Sequence, residues 1–139
     1  YNIETKSNEK KDNKAHPEPK EFSDLLVKIV LDKGIAPRTV IQSFDKRTIQ
    51  YINKQYPTIR TSYLVDAKNT KTPEELVEDL GFKPFIISPN YRIVTTDFVT
   101  QAHQLGIKII PWTVNTKEEI EALKALKVDG IISDYPNLF

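Results

Sequence analysis

The stretch GIKIIPWTVNTKEEIEALKALKVDGIISDYPNLF, residues 106–139, reads as one strand–helix–strand unit ending in an acidic, turn-forming signature. Ile107 to Trp112 is an apolar run broken only by Lys108, the pattern of a parallel strand covered on both faces. Thr116-Lys117-Glu118-Glu119 follows as Thr-x-x-Glu, in which hydroxyl and carboxylate satisfy free amides at a helix start. Ile120, Leu123 and Leu126 recur at three-residue spacing and give that helix one apolar face. Gly130-Ile131-Ile132 opens a last short strand, and Asp134-Tyr135-Pro136 stops it. An α/β barrel closes with a unit of this kind.

The preceding residues repeat the alternation. Tyr1 to Lys6 reads as a short strand, and the charged, proline-punctuated Ser7 to Pro19 as a loop. Phe22, Leu25, Leu26 and Ile29 are expected to form the apolar stripe of a helix that stops at Gly34. Thr39 to Phe44 is an apolar, β-branched strand, after which Asp45 caps a helix with Ile49 and Ile52 facing inward. Ile59 to Val65 is the next strand, and Thr72-Pro73-Glu74-Glu75 opens another helix with proline in its first turn. Phe85 to Ser88 is a strand, Asp97 to Leu105 a helix, and Gly106 its stop.

Six strand-like segments result, with no composition break to divide residues 1–139 into two domains. Parallel neighbours need crossover connections, so repeated βα units imply a parallel sheet. Only four glycines are present and none makes Gly-x-Gly, which argues against a doubly wound nucleotide-binding sheet and favours a barrel. An eight-stranded barrel takes about 250 residues. The expectation is therefore a TIM-type (β/α)8 barrel of which this chain supplies roughly the last six strands, with the first strands absent.

Composition narrows the partners. Lys plus Arg total 20 against 19 acidic residues, a net charge of +1, so no global field recruits nucleic acid or an anionic membrane. The lysines at 10, 11, 14 and 20 alternate with Glu9, Asp12, Glu18 and Glu21 and read as a solvated loop. No cysteine is present, which excludes disulfides, thiolate metal sites and thiol nucleophiles. No apolar run approaches the roughly 20 residues of a membrane span. The abrupt opening is compatible with a removed leader.

Glu4 and Lys6 are the pair that the strand pattern itself singles out. Two residues apart on a strand, they project from one face near its carboxyl end, where barrels keep their chemistry. An inward carboxylate and ammonium are costly unless each finds a partner. His16, in a charged loop before Pro17, reads as a solvated histidine, and His103 as one on the outer side of a helix. Trp112 and Phe44 end strands and are candidates to line a pocket, although a core aromatic is the alternative for each. Asn115 is expected to bond local backbone, and Asp134 to shape the terminal turn.

Ile3-Glu4-Thr5-Lys6, Thr39-Val40-Ile41-Gln42-Ser43-Phe44-Asp45, Tyr63-Leu64-Val65, Trp112-Thr113-Val114-Asn115 and Asp129-Gly130-Ile131-Ile132-Ser133-Asp134-Tyr135-Pro136 resemble the later motifs of the glycerophosphodiester phosphodiesterase family, in the family's order. The Trp-Thr-Val-Asn and Asp-Gly-Ile-Ile-x-Asp-Tyr-Pro combination is the specific part. The resemblance implies hydrolysis of glycerophosphodiesters to glycerol 3-phosphate and an alcohol, with a divalent cation, Mg²⁺ or Ca²⁺, and a pair of histidines. It implies Glu4 as a metal ligand and Lys6 as a phosphate contact, while Trp112 and Phe44 remain substrate-lining candidates on their strand-end positions alone.

The family's opening His-Arg-Gly, its Glu-x-Asp metal pair and its second catalytic histidine have no counterpart here, so no catalytic residue is expected on this chain. Both histidines are expected upstream of Tyr1. The missing strands are expected from the same gene product or another chain, and the 139 residues alone are expected to be inactive. The alternative is a non-catalytic fragment or binding module lacking the histidine half. The location is left open, since the family includes both exported and cytosolic bacterial members and the lack of cysteine fits either, with a periplasmic or secreted one preferred over the cytoplasm.

Overall fold

The computed structural model describes every residue from Tyr1 to Phe139. Five parallel strands follow in the order β1 (Asn2–Glu4), β2 (Val40–Ser43), β3 (Arg60–Val65), β4 (Ile86–Pro89) and β5 (Lys108–Ile109). Helices α1 (Pro19–Asp32), α2 (Lys46–Gln55), α3 (Pro73–Leu80), α4 (Thr96–Gln104) and α5 (Lys117–Ala125) supply the connections. The chain forms two compact units, Tyr1–Tyr63 and Leu64–Phe139. No helix is long and apolar enough to cross a membrane.

In the first unit, Asn2 pairs with Val40, Ile3 with Ile41 and Glu4 with Gln42. Alternation sends the two sets of side chains to opposite faces. Ile3 and Ile41 join Val27 and Val30 of α1 and Ile52 of α2 in the core. Asn2, Glu4 and Gln42 lie on the other face, where the Asn2 amide donates to Gln42 Oε1 at 2.9 Å. Asp45 accepts from the Arg47 backbone N–H and starts α2, with Ile49 and Ile52 buried as expected.

Helix α1 forms where expected, but its apolar stripe is rotated. Ser23, Val27 and Val30 are the buried positions and Leu26 packs against the core as expected, whereas Leu25 and Ile29 are 53% and 57% exposed. Ser23 is admitted to the core because its hydroxyl donates to the Pro19 carbonyl at 2.6 Å. Gly34 ends the segment at φ 63°, a conformation that a side chain makes costly.

In the second unit, Thr72 and Glu75 make the expected reciprocal capping box at the start of α3. Thr95 caps α4, accepting from the Phe98 N–H. Gly106 stops that segment at φ 72°.

The closing unit differs from the expectation in two respects. Strand β5 is only two residues long, and Gly130–Ile132 is not a regular strand. Backbone bonds nevertheless run in a parallel ladder: Asp129 N–H to Ile109 O at 2.8 Å, Ile132 N–H to Pro111 O at 2.9 Å, and Val114 N–H to Ile132 O at 2.9 Å. Pro111 has no N–H to return, so the ladder is broken where a sixth strand is expected.

Candidate active site

Glu4 is the last residue of β1 and Lys6 follows two residues beyond it, with Lys6 Nζ 4.0 Å from Glu4 Oε2. The two are unequal, since the carboxylate side chain is 25% exposed and the lysine 83%. Gln42 stands at the register position beside Glu4. With its Oε1 taken by Asn2, Gln42 has its amide N–H₂ as the remaining polar group on this face. The carboxylate, ammonium and amide form a small polar patch at the carboxyl end of β1.

Beyond β1, the loop is tied down more firmly than a solvated segment. Ser7 Oγ donates to Asp45 Oδ2 at 3.0 Å, and Arg47 bridges Asp45 and Asp12 with bonds of 2.7 to 3.3 Å. Burial alone would push the Asp45 carboxyl up, but hydrogen bonds from Arg47 and Ser7 outweigh it and hold it below the usual carboxylate range.

His16 corrects the sequence expectation. Its side chain is 9% exposed, Nε2 accepts the Asn8 backbone N–H at 3.0 Å, and Nδ1 is 2.8 Å from the Pro17 carbonyl. An acceptor Nε2 and a donor Nδ1 define the neutral Nδ1–H tautomer. Both nitrogens are occupied in holding the loop, and neither is available to a substrate. Proline and charge suggested exposure, whereas the turn folds back and covers the ring, which also stacks near Phe22 at 6.2 Å.

In the second unit, His103 Nε2 lies 2.9 Å from Asp129 Oδ2, and its side chain is 39% exposed. The same carboxylate accepts from the Ile109 N–H at 2.8 Å and from Lys108 Nζ at 3.3 Å. This arrangement clasps α4, β5 and the segment after α5, so Asp129 is a structural acid. Sequence reading missed it, although the Asp-Gly pair before Ile131 is a turn signal that marks its place.

Trp112 is half-buried, and its indole N–H donates to the Ser88 carbonyl at 2.7 Å, which sets the ring's direction. Phe44 is 45% exposed in the first unit and is not a core ring. Asn115 departs from expectation: it bonds across the chain and not locally. Its amide donates to Asp134 Oδ2 at 2.9 Å and its oxygen accepts from the Asp134 N–H at 3.1 Å. The terminal turn is instead shaped by Ser133, whose hydroxyl accepts from the Tyr135 N–H at 3.0 Å.

Nowhere in the chain do three His, Asp or Glu side chains converge as a metal-ligating group. Ca²⁺ takes six to eight oxygen ligands and Mg²⁺ six. Glu4 can supply only part of such a set, so the residues present do not by themselves fit a resident divalent cation.

A glycerophosphodiester phosphodiesterase of Bacillus subtilis is 28% identical over 141 residues, covering 100% of this chain and 47% of its own length. A solved structure from Silicibacter pomeroyi DSS-3 that carries the glycerophosphoryl diester phosphodiesterase name is 31% identical, with a TM-score of 0.82, over 97% of this chain and 46% of that one. An Oleispira antarctica phosphodiesterase, solved with the product sn-glycerol-3-phosphate, shares the fold at a TM-score of 0.75 and 21% identity, over 97% of this chain and 51% of its own. The chain spans about half the length of the curated relatives it matches. The fold is α/β of the TIM-barrel type, in part. With the Glycerophosphoryl diester phosphodiesterase family matched across residues 1–138, the chain belongs to that family.

Proposed function

We propose that the intact gene product hydrolyses glycerophosphodiesters to glycerol 3-phosphate and an alcohol, and that this chain contributes the phosphate-facing side of the site. The observation that carries the reading is the Glu4–Lys6 pair at the carboxyl end of β1, in a chain that matches the family over residues 1–138. A phosphodiester is anionic, and attack places further charge on its non-bridging oxygens. Lys6, flexible and exposed, supplies a compact positive charge for those oxygens. The amide of Gln42 supplies a neutral donor beside it.

Glu4 is proposed as one ligand of a divalent cation, Mg²⁺ or Ca²⁺, whose other ligands lie outside these 139 residues. Such a cation would neutralise charge on the phosphoryl group. Proton transfer to and from the reacting oxygens needs two further groups. His16 is committed to Asn8 and Pro17, and His103 to Asp129, so both groups are assigned to residues beyond this chain. Phe44 in the first unit and Trp112 in the second are each proposed, separately, as substrate-lining residues.

The test is release of glycerol 3-phosphate from glycerophosphocholine by the intact gene product, with Mg²⁺ or Ca²⁺ and after chelation. Cation-dependent release is the expected result. No release with either cation would overturn the assignment and favour a binding module that keeps the barrel wall without the chemistry.

A further inference from the structure

At the carboxyl end of β4 the chain turns into a short 3₁₀ helix, Tyr91–Ile93, immediately beside the carboxyl end of β5. Asn90 pairs with Trp112 as an isolated parallel bridge, and the Tyr91 N–H donates to the Trp112 carbonyl at 3.0 Å. Asn90 Oδ1 accepts the Arg92 N–H at 3.1 Å, which fixes the turn. Tyr91 and Arg92 are thereby anchored to the backbone of Trp112, proposed as a substrate-lining residue.

Arg92 is exposed yet guided. Its Nε–H lies 3.4 Å from the Tyr91 hydroxyl, and its guanidinium carbon is 5.7 Å from the Tyr91 ring centroid. Only the Nε edge is engaged, which leaves Nη1 and Nη2 as a donor fork suited to a carboxylate. The acidic neighbour is Glu119, whose charge acts on Arg92 while its carboxylate is bonded to partners of its own. The Tyr91 hydroxyl and then Thr116 hold its carboxyl below the usual range, with Thr116 Oγ1 at 3.0 Å from Glu119 Oε2.

We infer that Arg92, steered by Tyr91, is a specificity-determining residue that favours glycerophosphodiesters whose alcohol carries a carboxylate. This rests on the phosphodiesterase function proposed for the intact gene product. In barrels of this type, residues following the carboxyl ends of strands line the substrate mouth. A guanidinium fork there gains one charge-assisted contact from an anionic alcohol group and none from a cationic one. Because Arg92 is exposed, the gain is modest and sensitive to salt.

Glycerophosphoserine and glycerophosphoethanolamine differ only by the serine carboxylate, so their ratio of kcat/KM isolates this contact. The intact gene product is expected to favour the serine diester. Arg92→Gln is expected to lower the serine-to-ethanolamine ratio by about three- to fivefold, the range of an exposed ion pair, mainly through KM. Arg92→Lys should retain part of the preference, and raising the ionic strength should shrink it in the wild type. A ratio that stays put in Arg92→Gln, including an equal loss with both diesters, overturns the inference while leaving the hydrolase assignment standing. Failure of the wild type to hydrolyse either diester overturns both.

Discussion

Arg47 donates to both carboxylate oxygens of Asp12, from Nη1 to Oδ2 at 2.8 Å and from Nη2 to Oδ1 at 3.3 Å, across 35 residues of chain. The same guanidinium holds Asp45, so one side chain joins the loop after β1 to the start of α2. The Asp45 and Asp12 side chains are only 9% and 17% exposed and would be left without their cation in Arg47→Ala. The expected loss is about 1–3 kcal/mol in urea denaturation, with faster proteolysis between Ser7 and Glu18. Arg47→Lys should recover only part, because an ammonium cannot bridge two carboxylates as a planar fork does. Wild-type stability in Arg47→Ala would show the bridge to be idle.

Acid should weaken the fold through Asp45 and Asp129. For Asp129, as for Asp45, burial acts upward; the Ile109 N–H, His103 and Lys108 outweigh it and leave the carboxyl below its ordinary value. A carboxyl whose folded pKa lies below the unfolded value of about 3.9 binds more protons when unfolded, so stability rises with pH across that interval. The contribution is fully present above about pH 5 and disappears as pH falls through the lower folded value. Denaturation midpoints measured from pH 7 to 3 should therefore drop below about pH 4, and Asp129→Asn should drop less steeply. Identical slopes in the two proteins would exclude Asp129 as a contributor.

Glu4→Gln keeps the side-chain shape and removes the charge. In the intact gene product it should reduce cation-dependent turnover by at least about tenfold, whereas Lys6→Ala should act more on KM, by about tenfold. Turnover unaffected by Glu4→Gln removes Glu4 from the site.

Trp112 combines a stabilising bond with a proposed wall. Trp112→Phe deletes the 2.7 Å bond to Ser88 and should cost about 1 kcal/mol, while an aromatic face remains for substrate. Trp112→Ala should raise KM clearly more than Trp112→Phe. Equal KM values in the two variants would assign the ring to packing alone.

The rotated face of α1 separates two sets of leucine- and valine-sized side chains. Val30→Ala should cost about 2–3 kcal/mol because Val30 is fully buried, and Leu25→Ala less than about 1 kcal/mol because Leu25 is half exposed. Replacing Leu25 and Ile29 together by Glu and Lys should also lower any self-association measured by sedimentation. A large loss from Leu25→Ala would restore the stripe that the spacing suggested.

The sequence was most legible where a local rule had a single solution. Thr72 with Glu75, Asp45 before α2, and Gly34 and Gly106 at positive φ each satisfy backbone groups that few other residues can. The phase of α1 was only partly legible, because Phe22-Leu25-Leu26-Ile29 and Ser23-Val27-Val30 are both helical stripes, and Leu26 of the first also packs on the core. The buried one contains a serine whose cost is met by a bond to Pro19 that no pattern reveals. His16, Asn115 and Asp129 were misread or missed for a related reason: their partners lie 8 to 26 residues away. Glu4 and Lys6 were visible as a pair because they lie two residues apart at a strand end, but the Gln42 beside them depends on which residue of β2 stands opposite.

That register makes the chain more sensitive to length than to identity. Deleting one residue from the turn Ile35–Thr39 would slide β2 by one step against β1. Ile41 would then move out of the core and Gln42 into it, exchanging the oily and polar sides of the strand in a single event. Evolution can alter Asn2 or Gln42 by substitution and keep a folded wall. An odd insertion or deletion within β2 itself would turn that wall inside out, whereas the loop between Ser7 and Glu18 can absorb one.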